Sequence, residues 1–298
     1  MNSSLSNVLD DLLSGRYKWL RGIVVDDHLF GIPAWNNAGV LKMRLNASDL
    51  GDVGTPRVLP LPSRTTMNNE KNVNDYLENG SADNVVRTDR WMWHGAALSS
   101  DEKYIYCVPS NKERVLKVKV DSNAEGPDVE EIGPSFPGKN KWYGGIRGHD
   151  GCIYGAPYTA SGILRIDPKD DSVEVLGDFG SGEWKWHGGV LCSNGCIFCF
   201  PSHSDYALKI DTTKDSHYSL IKLPPTRDKI KKYKWLGGSL GQDGAVYAIP
   251  CDTNSVLRID PETDAVALFG LTPDGKNKCK FIASLLPNES KSALTVDL

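Results

Sequence analysis

One phrase recurs five times along this 298-residue chain, and its spacing constrains the fold more than any other feature. It opens as Trp19-Leu20-Arg21-Gly22, Trp93-His94-Gly95-Ala96, Trp142-Tyr143-Gly144-Gly145, Trp186-His187-Gly188-Gly189 and Trp235-Leu236-Gly237-Gly238. Each opening leads through an apolar run to a proline (Pro33, Pro109, Pro157, Pro201, Pro250) and then to a phrase such as Val256-Leu257-Arg258-Ile259-Asp260. The last three Trp-to-Trp intervals are 49, 44 and 49 residues, and each proline follows its Trp by 14 to 16. An eroded sixth start stands at Phe281-Ile282-Ala283-Ser284. A period of this length marks a repeat architecture in which each unit is one supersecondary element.

Each repeat holds four short β-rich runs; in the fourth they cover 189–192, 196–200, 206–210 and 218–223. Asp150-Gly151, Asn194-Gly195 and Asp243-Gly244 are strong hairpin signals. No helical pattern intervenes between repeats, which argues against parallel βαβ units. Four antiparallel strands per period describe the blade of a β-propeller, and five clear copies plus one eroded copy predict six four-stranded blades. The paired glycines suit inner strands crowded at the axis, and the Trp suits the wedge between blades. Residues 1–16 form a separate unit in this reading. Leu5, Val8, Leu9, Leu12 and Leu13 follow helical spacing between Ser4 and Gly15, predicting a short helical cap. The propeller then covers 17–298, with a polar insertion at about 64–89 that reads as a loop. The last blade is either incomplete or closed by N-terminal residues; a truncated scaffold domain of a longer protein is the other explanation.

The Gly-rich strand entry, the Asp-Gly-x-Ile-Tyr hairpin of 150–154 and the aromatic wedge resemble the kelch-like group of repeats. One departure stands out: the double glycine precedes the first strand here, whereas in kelch repeats it follows the second. The closing Ile-Asp-Pro phrase (166–168, 259–261) is similar to that of lactonase-like and streptogramin-lyase-like propellers. The resemblance implies architecture and carries over no catalytic residue, because the metal-binding Glu, Asn and Asp constellation has no counterpart.

Net charge is −4, so no global basic field directs the chain to nucleic acid or an anionic membrane surface. No apolar run is long enough to span a bilayer, and residues 1–18 lack a signal-peptide pattern. Most of the seven cysteines fall in apolar strand patterns and read as buried thiols of a reducing compartment, which makes a cytoplasmic monomer the expectation. Cys192 and Cys196 flank a hairpin turn, where a cross-strand disulfide or half a metal site is the alternative. The basic run Arg227, Lys229, Lys231, Lys232 and Lys234 reads as a solvated loop.

In a propeller the loops entering the first strand and leaving the second open on one face. The residue after each framework Trp and the residues after each Pro should therefore ring one mouth of the channel. These are the positions that vary while the framework repeats. His94, Tyr143 and His187 form the candidate catalytic set, since two imidazoles and a phenol could do acid–base work or hold a divalent metal in the channel. No cofactor motif is evident. Arg21, Trp35, Asn37, Asn111, Tyr158, His203, Asp205, Asp252 and Asn254 are the candidate ligand contacts, with Asp205 placed to orient His203. Packing and turn roles are the plainer alternative for each. The favoured function is binding of a small molecule, glycan or peptide segment at a polar mouth; the alternatives are a lyase or hydrolase using the His/Tyr set, and a scaffold.

Overall fold

The computed structural model describes residues 18–35, 39–45, 56–62, 90–214, 217–226 and 229–270. They form twenty strands in five four-stranded antiparallel sheets, each a simple meander. Blade 1 is β1 Trp19–Val25, β2 His28–Pro33, β3 Val40–Arg44 and β4 Arg57–Leu59. Blade 2 is β5 Trp93–Leu98, β6 Tyr104–Pro109, β7 Val115–Lys119 and β8 Val129–Ile132. Blade 3 is β9 Trp142–Arg147, β10 Ile153–Pro157, β11 Ile163–Asp167 and β12 Ser172–Leu176. Blade 4 is β13 Trp186–Leu191, β14 Cys196–Pro201, β15 Tyr206–Asp211 and β16 His217–Lys222. Blade 5 is β17 Trp235–Leu240, β18 Val246–Pro250, β19 Ser255–Ile259 and β20 Val266–Gly270. The first strands β1, β5, β9, β13 and β17 pack in that order, side by side. The fold is a β-propeller.

The expected count is corrected. Five blades are seen, not six, and no helix occurs among the described residues. The sixth copy rested on 281–284, which carry neither the framework Trp nor its glycines and lie outside the described residues. So do the segment read as an N-terminal helix and the polar insertion of 64–89.

Burial grades from the inside outward. The second strands β10 and β14 are buried at every position, because both faces of the sheet meet a neighbouring blade. The outermost strands β12 and β16 are largely exposed or half-buried. From blade 2 onward each framework Trp packs in the apolar layer between its own blade and the one before it. Trp93 joins Phe30, Ile32 and Val40, Trp142 joins Tyr106 and Val108, and Trp235 joins Phe198 and Phe200. The indole N–H is satisfied in the same way in all five blades, by a carbonyl at the start of the third strand. Trp19 donates to Gly39, Trp93 to Arg114, Trp142 to Gly162, Trp186 to Tyr206 and Trp235 to Ser255, at 2.7–3.0 Å. The Trp thus fills the wedge and also ties the first strand to the third. Neighbouring blades are pinned further out by Lys117 to Asp171 at 2.6 Å and Lys209 to Asp264 at 2.7 Å.

Candidate functional site

Every first strand carries one extra residue within four residues of its Trp, seen as a register shift against the second strand. A bulge of this kind re-aims a side chain out of the ladder. In blades 2, 3 and 4 the glycine that follows takes a left-handed φ: 104° at Gly95, 74° at Gly144 and 68° at Gly188. Blade 1 has Arg21 at this position, and Gly237 of blade 5 keeps an ordinary φ. The three blades with the glycine kink are those that present His94, Tyr143 and His187.

Those three side chains converge. The His94 ring stacks on Tyr143 with centroids 3.8 Å apart and planes 17° from parallel. His187 stands edge-on to both, 5.6 Å from His94 and 4.7 Å from Tyr143. Tyr158, which follows Pro157, stacks on the other side of Tyr143 at 4.3 Å. From there the rings continue to Trp184 at 5.4 Å, then to His203 at 5.6 Å and Tyr233 at 5.0 Å. In the other direction His94 meets Trp91 at 6.0 Å, and Trp91 meets Trp35 at 5.5 Å. An unbroken aromatic arc therefore crosses all five blades. Stacked pairs of this kind add ~0.5–1.5 kcal/mol beyond their buried area.

His94, Tyr143 and Tyr158 are buried, whereas His187, His203, Trp35, Trp91, Trp184 and Tyr233 are half-buried and form the accessible rim. Burial, together with the nearby His187 and Arg21, pushes the His94 imidazole down to about 3. Burial pushes the Tyr143 phenol up to about 12. At neutral pH both are uncharged. Burial also lowers His203, helped by Lys232 and Lys234. The Nδ1 of His94 and the Nε2 of His203 are buried with no hydrogen-bond partner among the described residues.

Beneath the arc runs a girdle of backbone hydrogen bonds. Within each blade the residue after the proline donates its N–H to the residue before the framework Trp: Ala34 to Lys18, Ser110 to Met92, Tyr158 to Lys141, Ser202 to Lys185 and Cys251 to Lys234, at 2.8–3.0 Å. Between blades the same residues bond onward: Met92 N–H to Ala34, Lys141 to Ser110, Lys185 to Tyr158 and Lys234 to Ser202, at 2.8–3.2 Å. The chain of bonds is continuous from Lys18 to Cys251. Three girdle residues are buried lysines whose ammonium groups are held by loop oxygens. Lys141 donates to Ser110, Lys112 and Gly138, and Lys185 to Gly180 and Gly182, all at 2.7–3.1 Å. Lys234 donates to Ser204 at 2.8 Å and to the Asp205 carboxylate at 3.3 Å. Lys234 is 3 % exposed, so the basic run read as a solvated loop is solvated at Lys229, Lys231 and Lys232 but not at its last member.

The expected site residues divide accordingly. His94, Tyr143, His187, Tyr158, His203 and Trp35 come together in the arc, and Arg21 lies close enough to act on His94. Asp205 does not orient His203; it is exposed and pairs with Lys234, while His203 packs on Trp184 and Tyr233. Asn111 serves the backbone, donating to the Arg90 carbonyl at 2.5 Å and accepting the Asn140 N–H at 2.7 Å. Asp252 and Asn254 are exposed and outside the arc, and Asn37 lies outside the described residues. Trp91, Trp184 and Tyr233 extend the site beyond the residues read from the sequence. Their signal was there: Tyr17, Trp91, Asn140, Trp184 and Tyr233 all stand two residues before the framework Trp. The mouth is thus aromatic where a polar one was expected. No group of three or more His, Cys, Asp or Glu able to hold a metal ion occurs among the described residues. Cys192 and Cys196 are free thiols.

No protein-family model and no curated protein sequence matches the chain. Solved structures do. Virginiamycin B lyase from Staphylococcus aureus superposes with a TM-score of 0.57 at 15% identity, covering 85% of this chain and 70% of the lyase. A streptogramin B lyase structure gives 0.56 at 13%, covering 87% and 71%. A provisionally assigned 6-phosphogluconolactonase from Bacteroides uniformis gives 0.53 at 10%, covering 84% and 69%. At such identity the likeness is one of fold, and it agrees with the propeller described above.

Proposed function

We propose that this chain is a ligand-binding propeller whose mouth receives a small molecule, glycan or peptide segment on the half-buried rings of the aromatic arc. One observation carries the reading: His94 and Tyr143 are stacked, buried and uncharged at neutral pH. General acid–base catalysis works best with groups that titrate near the operating pH. A histidine near 3 and a tyrosine near 12 stand on opposite sides of that range, and both suit a fixed recognition surface. Rigid rings with one polar atom each also lose little entropy on binding. The kelch-like phrase belongs to this reading only as framework, and a monomer in the cytoplasm is part of the same proposal.

A lyase or hydrolase is the second reading. The convergence of His94, Tyr143 and His187 from three consecutive blades favours it, since two imidazoles 5.6 Å apart can share one substrate. Two of the structural likenesses are named as lyases. In this version His187, the least buried of the three, is the proton acceptor.

The test is a ligand panel of small planar molecules, oligosaccharides and short peptides, read by thermal shift and by fluorescence quenching of the mouth tryptophans. Binding that is lost in Trp184→Ala supports the first reading. Turnover of a bound compound that is lost in His187→Ala without loss of binding replaces it with the second. A panel in which nothing binds overturns both.

A further inference from the structure

The lysines of the girdle place positive charge in the layer beneath the arc, and the Lys234 ammonium donates to the carbonyl of His203, an arc residue, at 3.4 Å. Lys141, Lys185 and Lys234 occupy equivalent positions in three successive blades, each directly before a framework Trp, and are 3–6% exposed. Among the described residues, the ammonium groups of Lys141 and Lys185 are held by carbonyl oxygens alone. Carbonyl dipoles satisfy the donors without cancelling the charge. The carboxylates that act on them among the described residues, Glu113 on Lys141 and Glu183 and Asp178 on Lys185, are on exposed loop residues where water and salt screen them. Of the three, Lys234 alone has a carboxylate partner among the described residues, Asp205, whose side chain is 72% exposed. Arg21 adds a fourth cation beside His94. Buried charge is screened far less than surface charge, so this set focuses positive potential on the mouth although the whole chain is net negative.

Resting on the reading of the mouth as a binding site, we infer that its ligand is anionic: a ring, aromatic or pyranose, that bears a carboxylate. The ring lies on the half-buried faces of Trp91, Trp184 and Tyr233, and the carboxylate is drawn by the lysines and Arg21. A cationic ligand is disfavoured by the same field, despite the abundance of aromatic faces.

Matched pairs test this by calorimetric titration of the full chain: 4-hydroxybenzoate against 4-hydroxybenzamide, and methyl glucuronide against methyl glucoside. The acid member of at least one pair is expected to bind roughly tenfold or more tightly than its neutral partner. That advantage should shrink in Arg21→Gln and as salt is raised from low to physiological strength, a measurement that needs no variant. The responsive pair tells an aromatic from a sugar acid. A neutral member that binds as tightly as its acid, or an advantage indifferent to salt, overturns the anion inference while leaving the binding site in place. Failure of all four compounds to bind, in a protein that binds other members of the broader panel, likewise overturns it. If that panel is silent too, the binding reading falls with it.

Discussion

The backbone N–H and the side-chain ammonium of Lys141 reach the same acceptor, the carbonyl oxygen of Ser110 in the preceding blade, at 3.2 and 2.8 Å. One residue thereby holds the seam between blades 2 and 3 twice. Removing the ammonium takes a donor from the half-buried carbonyl of Lys112 and from the exposed one of Gly138, where water can replace it, so the cost of ~1–3 kcal/mol falls chiefly on the buried contact to Ser110. Lys141→Met is expected to speed amide hydrogen exchange at residues 111–113 at least tenfold. Exchange in blade 5 should be unchanged.

The same lysine has a pH signature. Burial lowers it to about 8 from an ordinary 10.5, so in that interval the unfolded chain binds the proton more tightly than the folded one. The cost of burying the charge is therefore full below pH 8 and relieved as pH rises toward 10.5. Denaturant midpoints of the wild type should gain on those of Lys141→Met over that interval.

His94 has the opposite consequence at acid pH. Its folded value near 3 lies below the ordinary 6.5, so folding favours the neutral ring. Stability from this group is complete above pH 6.5 and lost as pH falls toward 3, by on the order of a few kcal/mol. Wild-type stability should fall faster than that of His94→Gln across this window in denaturant titrations. Parallel curves would show that the ring is not desolvated.

The kinked glycines should differ from their unkinked counterpart. Gly144 has φ 74°, and a Cβ there would lie 3.1 Å from the Gly188 Cα. Gly144→Ala should destabilise by ~1–3 kcal/mol. Gly237→Ala meets no atom within 4 Å and no left-handed φ, and its melting temperature should stay near the wild type.

Replacing Trp142 by Phe keeps the apolar wedge but removes the donor to the Gly162 carbonyl, a buried bond of 2.7 Å. A loss of ~1–3 kcal/mol in urea unfolding is expected.

Much of the blade was legible in the sequence because packing repeats wherever backbone geometry repeats. A wedge needs a large ring, a crowded inner strand needs glycine, and a second strand between two layers needs an unbroken apolar run. The four runs read in the fourth repeat match β13 to β16 to within three residues at each end. The fold of the loops was harder to read. Asn111 and Asp205 looked like ligand contacts, but short polar side chains in tight loops first satisfy nearby N–H groups, carbonyls and ammonium groups. Trp91, Trp184 and Tyr233 escaped because the repeat was framed to begin at the framework Trp, two residues too late. The extra residue in each first strand, close to where His94, Tyr143 and His187 turn toward one another, is a matter of register and leaves as its trace only the glycine after each of the three.

The bonds of the girdle under the arc run between peptide groups, so they can form whatever side chains its members carry, and the lysine ammonium groups reinforce them. The seats before the framework Trp hold Met92 and four lysines, those after the proline hold Ala34, Ser110, Tyr158, Ser202 and Cys251, and the girdle accepts them all. Only proline, lacking the N–H, is barred from these seats. Such a scaffold can exchange one recognition surface for another by point substitution, with no step at which the girdle must first come apart. The mouth of this protein is in that sense an interchangeable fitting, and its present specificity one of many the same frame could carry.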